Sequence, residues 1–229
     1  MTKMTKYRIS TLPFQAFTLP QFLGDLAEIG VSSIELAKGH FDTLDAETAR
    51  SLQEDFGLNF KSMLSTEDIA SPNGLDTQIA ILDIAQELSI DRVCISSGGR
   101  EEASENEIAM IIDRLKILTQ QAERRNVTLA FYPHHGWMAY NLDRTERIFE
   151  EITSDNFQYY YCSYHFQRAG DDPVDALEHF ADRLCSVYFD CGVDPVTGDT
   201  PLWAPETDYR AVCKAIQNVT CDGEIMLIY

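Results

Sequence analysis

The sequence contains no run of about 20 apolar residues, the length a helix needs to span a bilayer. It is also poor in positive charge. Eighteen Lys and Arg stand against 37 Asp and Glu, a formal charge of −19 over 229 residues. Phosphate backbones and anionic lipid surfaces are bound by clustered cations, so this balance argues against nucleic acid and against a membrane as partner. The six cysteines (Cys94, Cys162, Cys185, Cys191, Cys213 and Cys221) form no C-x-x-C pair. That spacing would mark a redox or zinc-ribbon site. Most lie in or beside apolar runs and are expected to be reduced, buried thiols. Met1–Lys6 is polar, with no apolar stretch behind it of the kind a secretion signal has. A cytoplasmic location is the expectation. No Gly-x-Gly-x-x-Gly follows the first β-rich run, so the dinucleotide fingerprint is missing.

Apolar material is plentiful, at 45% of residues, which is enough for a sizeable core. It is arranged in short β-rich runs: Tyr7–Ser10, Ser32–Leu36, Asn59–Met63, Arg92–Ser96, Val127–Tyr132, Phe157–Cys162, Leu184–Phe189 and Glu224–Tyr229. Several are nearly continuous apolar stretches, as in parallel strands covered on both faces. Helix-period segments separate them. Ser104 with Glu107 forms a capping-box pattern, and Ile108, Ile111, Leu115, Leu118 and Ala122 follow as one helical stripe. Pro20 opens a segment over Gln21–Ile29 that Gly30 closes. Further helices are expected over Asp45–Asp55, Leu142–Ile152, Pro173–Asp182 and Tyr209–Gln217, with a shorter stripe at Ile81, Ala85 and Leu88. Eight such units in one linker-free chain predict a single (β/α)8 barrel over 1–229, with parallel strands. The sequence stops at the eighth strand without a covering final helix. A neighbouring copy or the amino-terminal segment is expected to cover that gap, so a homo-oligomer is one expectation. The glycine pair Gly98-Gly99 reads as a turn.

In a barrel of this kind the chemistry sits where strands end and βα loops begin. His134, His135 and His165 fall there, three of the five histidines, with Tyr132, Asp190 and Tyr229. His40 and His179 are expected to be structural. Glu35 lies within the apolar run Ser33-Ile34-Glu35-Leu36 and needs a buried partner, for which Lys61 on the adjacent strand is a candidate.

The chain resembles the xylose isomerase-like TIM barrels, a family of sugar isomerases and epimerases, inosose dehydratases and barrel-type apurinic endonucleases. The resemblance lies in Ile29-Gly30-Val31-Ser32-Ser33-Ile34-Glu35-Leu36, in Leu82–Leu88 followed by Asp91-Arg92-Val93 and Gly98-Gly99, in Ala169-Gly170-Asp171-Asp172-Pro173, and in Cys221-Asp222-Gly223-Glu224. It implies a divalent metal such as Mn or Mg, held by carboxylates and a histidine after strands five to eight. The matching positions here are Tyr132, Cys162, Val187 and Tyr229, and none carries the expected ligand. Reading strand seven one residue off gives Ser186 or Tyr188, which is no better. Such residues do not make a hard-oxygen cation site, so no metal and no other cofactor is expected. No motif supports a relocated site at His134, His165 and Asp190.

Two further positions follow the resemblance. His134 stands where the family often has a histidine, and His165 in Cys162-Ser163-Tyr164-His165 matches its substrate-binding histidine. The expected catalytic set is therefore His134, His165, Glu35 and Lys61. Tyr132, Tyr164, Asp190 and Tyr229 are expected to bind substrate. Two readings stay open. One is an isomerase or epimerase acting on a small polyhydroxylated or keto compound by metal-independent acid/base chemistry. The other is a catalytically degenerate barrel that binds a small molecule or a partner. The endonuclease reading fails on the −19 charge and the missing ligands.

Overall fold

The computed structural model describes residues 7–189, 208–219 and 224–227. Eight strands close into an all-parallel barrel in chain order. They are β1 (Tyr7–Ser10), β2 (Ser33–Ala37), β3 (Asn59–Leu64), β4 (Arg92–Ile95), β5 (Thr128–Phe131), β6 (Phe157–Cys162), β7 (Leu184–Phe189) and β8 (Glu224–Leu227). β1 closes the barrel on β8 with Arg8 opposite Met226. The helices between them are α1 (Leu19–Glu28), α2 (Lys38–Phe41), α3 (Ala46–Phe56), α4 (Gly74–Glu87), α5 (Glu105–Arg124), α6 (Leu142–Glu151), α7 (Ser163–Ala169), α8 (Pro173–His179) and α9 (Tyr209–Asn218).

Local chemistry sets the helix limits. Thr18 caps α1 with Gln21, whose side chain accepts from the Thr18 amide, so the helix begins at Leu19 rather than beyond Pro20. Ser104 and Glu107 close the expected capping box at the start of α5. Its stripe of Ile108, Ile111, Leu115, Leu118 and Ala122 is fully buried. Each larger member gains about 1.5–3 kcal/mol over exposure. Asp172 caps α8 beside Pro173, and that helix stops at His179, with a 3-10 turn over Ala181–Arg183 in place of the expected continuation. The short α7 has no apolar period to announce it. It ends at Gly170, whose φ of +90° reverses the chain.

Two register shifts re-aim side chains. Between β2 and β3 the pairing passes from Ile34–Phe60 to Glu35–Ser62 and skips Lys61. Between β6 and β7 it passes from Tyr159–Leu184 to Tyr160–Ser186 and skips Cys185. Leu64, Cys94, Ala130, Tyr160, Tyr188 and Met226 form a cluster inside the barrel, while Ile34, Leu36, Met63, Val93, Leu129 and Val187 belong to the larger core under the helices. Gly98 and Gly99, at φ +61° and +72°, pack against the β3–α4 loop. Asp68 accepts from the Gly99 amide at 2.9 Å, and a Cβ on Gly98 would collide with that carboxylate. The pair is a left-handed bend under tight packing.

Candidate functional site

The loop after β5 carries His134 and His135 into the mouth. It is fixed by main-chain bonds: Tyr132 N–H donates to Ile95, His134 N–H to Ala139, and Met138 N–H to Gly98. Ser97 Oγ accepts from the Ala139 amide at 2.9 Å. His165 arrives from the neighbouring unit, one turn into α7, and is buried. The three imidazoles form one cluster. Ring centroids of His134 and His165 lie 3.9 Å apart, and those of His134 and His135 stack at 4.9 Å.

Hydrogen bonds orient these rings. His134 Nδ1 lies 2.5 Å from the His135 carbonyl oxygen. A carbonyl only accepts, so Nδ1 carries the proton and, in the neutral ring, Nε2 keeps the lone pair. His165 Nε2 lies 2.5 Å from Tyr132 Oη, and His165 Nδ1 lies 2.7 Å from His135 Nδ1. Burial pushes the His134 imidazole down to about 4, with the neighbouring His135 adding to it and the carbonyl bond opposing. Burial lowers His165 as well, helped by His134 and His135. At neutral pH both rings are uncharged, each with one nitrogen able to take a proton or a Lewis acid.

Beside them opens a cavity of about 270 Å³, lined by Leu12, Leu64, Ser65, Thr66, Glu67, Ser96, Tyr132, His134 and Trp137. That size holds a compound of a few heavy-atom shells at most, and the lining mixes apolar walls with a few polar groups, as small-molecule sites do. Tyr164 packs edge-on against His135 and His165 with centroids 5.4 Å from each.

Glu35 lies below this mouth, fully buried inside the barrel. Its partners are hydroxyls. Ser62 Oγ donates at 3.0 Å, Tyr160 Oη at 3.2 Å, and Tyr188 Oη also donates to it. Lys61, the expected partner, is the residue that the β2–β3 register skips, so Ser62 faces Glu35 in its place. Burial raises the Glu35 carboxyl above the usual range, although its hydroxyl donors oppose the shift. Burial and Glu35 together keep the Tyr160 and Tyr188 phenols protonated as donors. Tyr160 and Tyr188 stack at 4.3 Å, and Tyr188 meets Tyr132 at 5.0 Å, so packing links the carboxylate layer to the mouth.

The structure therefore brings together Tyr132, His134, Tyr164 and His165 of the expected set, places Glu35 deeper, and leaves Lys61 apart from Glu35. Asp190 and Tyr229 lie outside the described residues. His135 joins the cluster, although the sequence marked it less strongly than its neighbours. Trp137 and Glu67 are further lining residues that no motif announced; only their loop positions could have pointed to them. His40 and His179 are structural as expected. His40 bonds Thr11 Oγ1 at 2.8 Å and the Phe17 carbonyl oxygen at 2.9 Å, and His179 pairs with Glu146 at 2.9 Å.

Among the described residues, the positions implied for a family metal do not fit one. Tyr132 Oη is engaged with His165, Cys162 is a buried cysteine, and Val187 belongs to the core under the helices. The inward residues of that part of β7, Ser186 and Tyr188, supply no carboxylate or imidazole either.

A family model described as xylose isomerase-like TIM barrel matches residues 23–227. No curated protein matches the sequence significantly. Among solved structures, the chain is similar to the probable 3-DHS dehydratase AsbF involved in petrobactin synthesis from Bacillus anthracis. The TM-score is 0.81 at 16% identity, over 98% of this chain and 92% of that one. It is similar to an L-ribulose 3-epimerase, with a TM-score of 0.79 at 17% identity, over 98% and 81% of the two chains. It is also similar to the 3-keto-D-glucoside 4-epimerase YcjR from E. coli, with a TM-score of 0.77 at 17% identity, over 98% and 91%. At these identities the likeness establishes the fold.

Proposed function

This chain belongs to the xylose isomerase-like TIM-barrel family, and we propose that its mouth binds a small polyhydroxylated or keto compound and moves a proton on it without a metal at the family's positions. The observation that carries this reading is the pair Tyr132 and His134 lining the cavity, with the buried His165 ring behind them, held on Tyr132 Oη at 2.5 Å. The dehydratase and epimerases of like fold act, by their names, on hydroxylated or keto compounds. A neutral imidazole can take a proton beside a carbonyl, and burial makes these two rings weaker bases than a free one. His165 or His134 serves as acid/base. Tyr132, Tyr164, Asp190 and Tyr229 bind hydroxyls or stack on the ligand. Glu35 acts from beneath through the Tyr188–Tyr132 packing, and Lys61 stabilises developing negative charge.

A second reading has an observation of its own. With Tyr132, Cys162 and Val187 at the family's ligand positions, Glu67 is the one carboxylate among the described residues that line the cavity. On that reading the barrel binds its compound and performs no reaction. Incubation with keto sugars, inosose-type compounds and keto acids in D2O separates the two. Exchange of a C–H beside a carbonyl, lost in His165→Asn, supports the enzyme; thermal shifts without exchange support the binder; neither result overturns both. The same reading carries a cytoplasmic location with reduced thiols and a small molecule rather than nucleic acid or membrane as partner. Cys94 and Cys213, each a free thiol, support the first of these. Among the described residues no helix is long and apolar enough to cross a membrane.

A further inference from the structure

The three imidazoles at the mouth come from two successive βα units. One ring nitrogen from each of His134, His135 and His165 lies within 4.8 Å of the other two. We infer that these three nitrogens form a binding site for a zinc-class divalent cation, displaced from the family's carboxylate positions. The inference rests on the same mouth as the reading above; the imidazoles that hold the ion are not free to move a proton, so the acid/base role belongs to the ion-free form.

The donor chemistry selects the ion. Three imidazoles suit Zn²⁺, Cu²⁺ or Ni²⁺, whereas Mg²⁺ and Ca²⁺ require oxygen. Three histidines with a fourth position left open is the donor count of a reactive zinc site rather than a closed structural one. Two of the rings already carry the outer hydrogen bonds that such ligands need. The His135 carbonyl holds the His134 Nδ1 proton, which leaves Nε2 as that ring's ligand atom. Tyr132 Oη holds His165 Nε2 at 2.5 Å, which leaves Nδ1 as the second. His135 Nδ1 faces His165 Nδ1 at 2.7 Å, a distance at which the two must share a proton or repel.

Binding draws all three rings onto one point, and nitrogens that now lie as far as 4.8 Å apart have to close by up to about 1.5 Å. Zn–N bonds of about 2.0–2.1 Å at a tetrahedral angle put two ligand nitrogens about 3.3 Å apart. The His135 and His165 nitrogens, by contrast, have to separate by roughly 0.6 Å, and the proton they share is released to solvent. His135 is partly exposed and on a loop, so it is the ring that can move. Because a neutral ring has one lone pair, ion binding and proton transfer by the same imidazole exclude each other. Since His134 also lines the cavity, a cation held there has its open position beside the bound compound, where it can take a carbonyl or hydroxyl oxygen.

The test is stripping the purified protein with chelator, then titrating it with Zn²⁺ alone by calorimetry and with Co²⁺ by visible absorption. The expected result is one ion per chain and a Co²⁺ spectrum of low coordination number with nitrogen donors. His135→Gln and His134→Gln weaken Zn²⁺ binding by roughly 100-fold, Tyr132→Phe weakens it by about 10-fold, and Cys162→Ser leaves it unchanged. Should the buried His165 variant not fold, the partly exposed His135→Gln decides the matter. No ion uptake by the wild type, or uptake that His135→Gln leaves intact, overturns the inference. Uptake lost in Cys162→Ser overturns it too, by moving the ion to the family's position. Thermal shifts with polyols and keto compounds, run on the stripped protein, report separately on the mouth. Shifts without ion uptake sink only the cation site, and ion uptake without shifts sinks only the small-molecule reading.

Discussion

Replacement of Glu35 tests the buried layer of the barrel most directly. The carboxylate accepts from Ser62, Tyr160 and Tyr188, and all four side chains are inaccessible to solvent. In Glu35→Ala three hydroxyl donors lose their acceptor, at about 1–2 kcal/mol each for a buried polar group left unpaired. The expected destabilisation is thus about 3–6 kcal/mol, before any cavity term, against a total of about 5–15 kcal/mol for a folded domain. Glu35→Gln keeps the volume and one acceptor oxygen, and hydroxyls can rotate to receive its N–H groups. Its cost is about 1–2 kcal/mol near neutral pH.

The pH dependence adds a sign. Burial raises the carboxyl of Glu35 in the folded chain above its unfolded value of about 4.3. The folded state therefore holds the proton more tightly, and the stability this contributes is present in full below about pH 4.3 and is lost as pH rises toward the folded value. Glu35→Gln cannot lose a proton, so its deficit relative to wild type shrinks as pH rises. Urea midpoints at pH 4.5, 6 and 8 measure this difference while the other titrating groups cancel. A deficit that grows with pH would show that the fold prefers the carboxylate, and a Glu35→Ala cost under about 0.5 kcal/mol would refute the hydroxyl layer itself.

Three other outcomes are expected. Leu115→Ala in the buried stripe of α5 costs about 2–5 kcal/mol by urea unfolding, while the exposed Glu105→Ala stays within about 0.5 kcal/mol. Ser104→Ala removes the capping box of α5 and costs about 1 kcal/mol, read as a lower melting temperature. Gly98→Ala combines a left-handed backbone with a Cβ driven into Asp68, so it destabilises by more than the ~1 kcal/mol that Gly→Ala gains at a compatible site, and it increases hydrogen exchange in the β3–α4 loop.

Much of the barrel is legible in residue order alone. Parallel strands covered on both faces need continuous apolar runs, and helices packed on them need a 3.6-residue stripe. Tyr7–Ser10, Phe157–Cys162 and Leu184–Phe189 form strands with the limits the runs give, and the stripe from Ile108 to Ala122 is the buried face of α5. Capping residues fix helix starts because they satisfy orphan amides within three residues, which is why Ser104 could be read and the turn at α7 could not.

Contacts across the barrel were decided only by the closed sheet. Sequence spacing suggested Lys61 for Glu35, because adjacent strands with regular pairing bring such residues level. The skipped residue in β3 aligns Ser62 with Glu35, and closure brings Tyr160 and Tyr188 over from the opposite wall. The histidines show the same division. Their place after strands five and six is written in the chain, but His135 joins the cluster through the turn geometry of one loop, which no residue pattern encodes. Local propensity and periodicity act over a few residues and so survive in the sequence; register shifts and barrel closure depend on every strand at once and exist only in the folded chain.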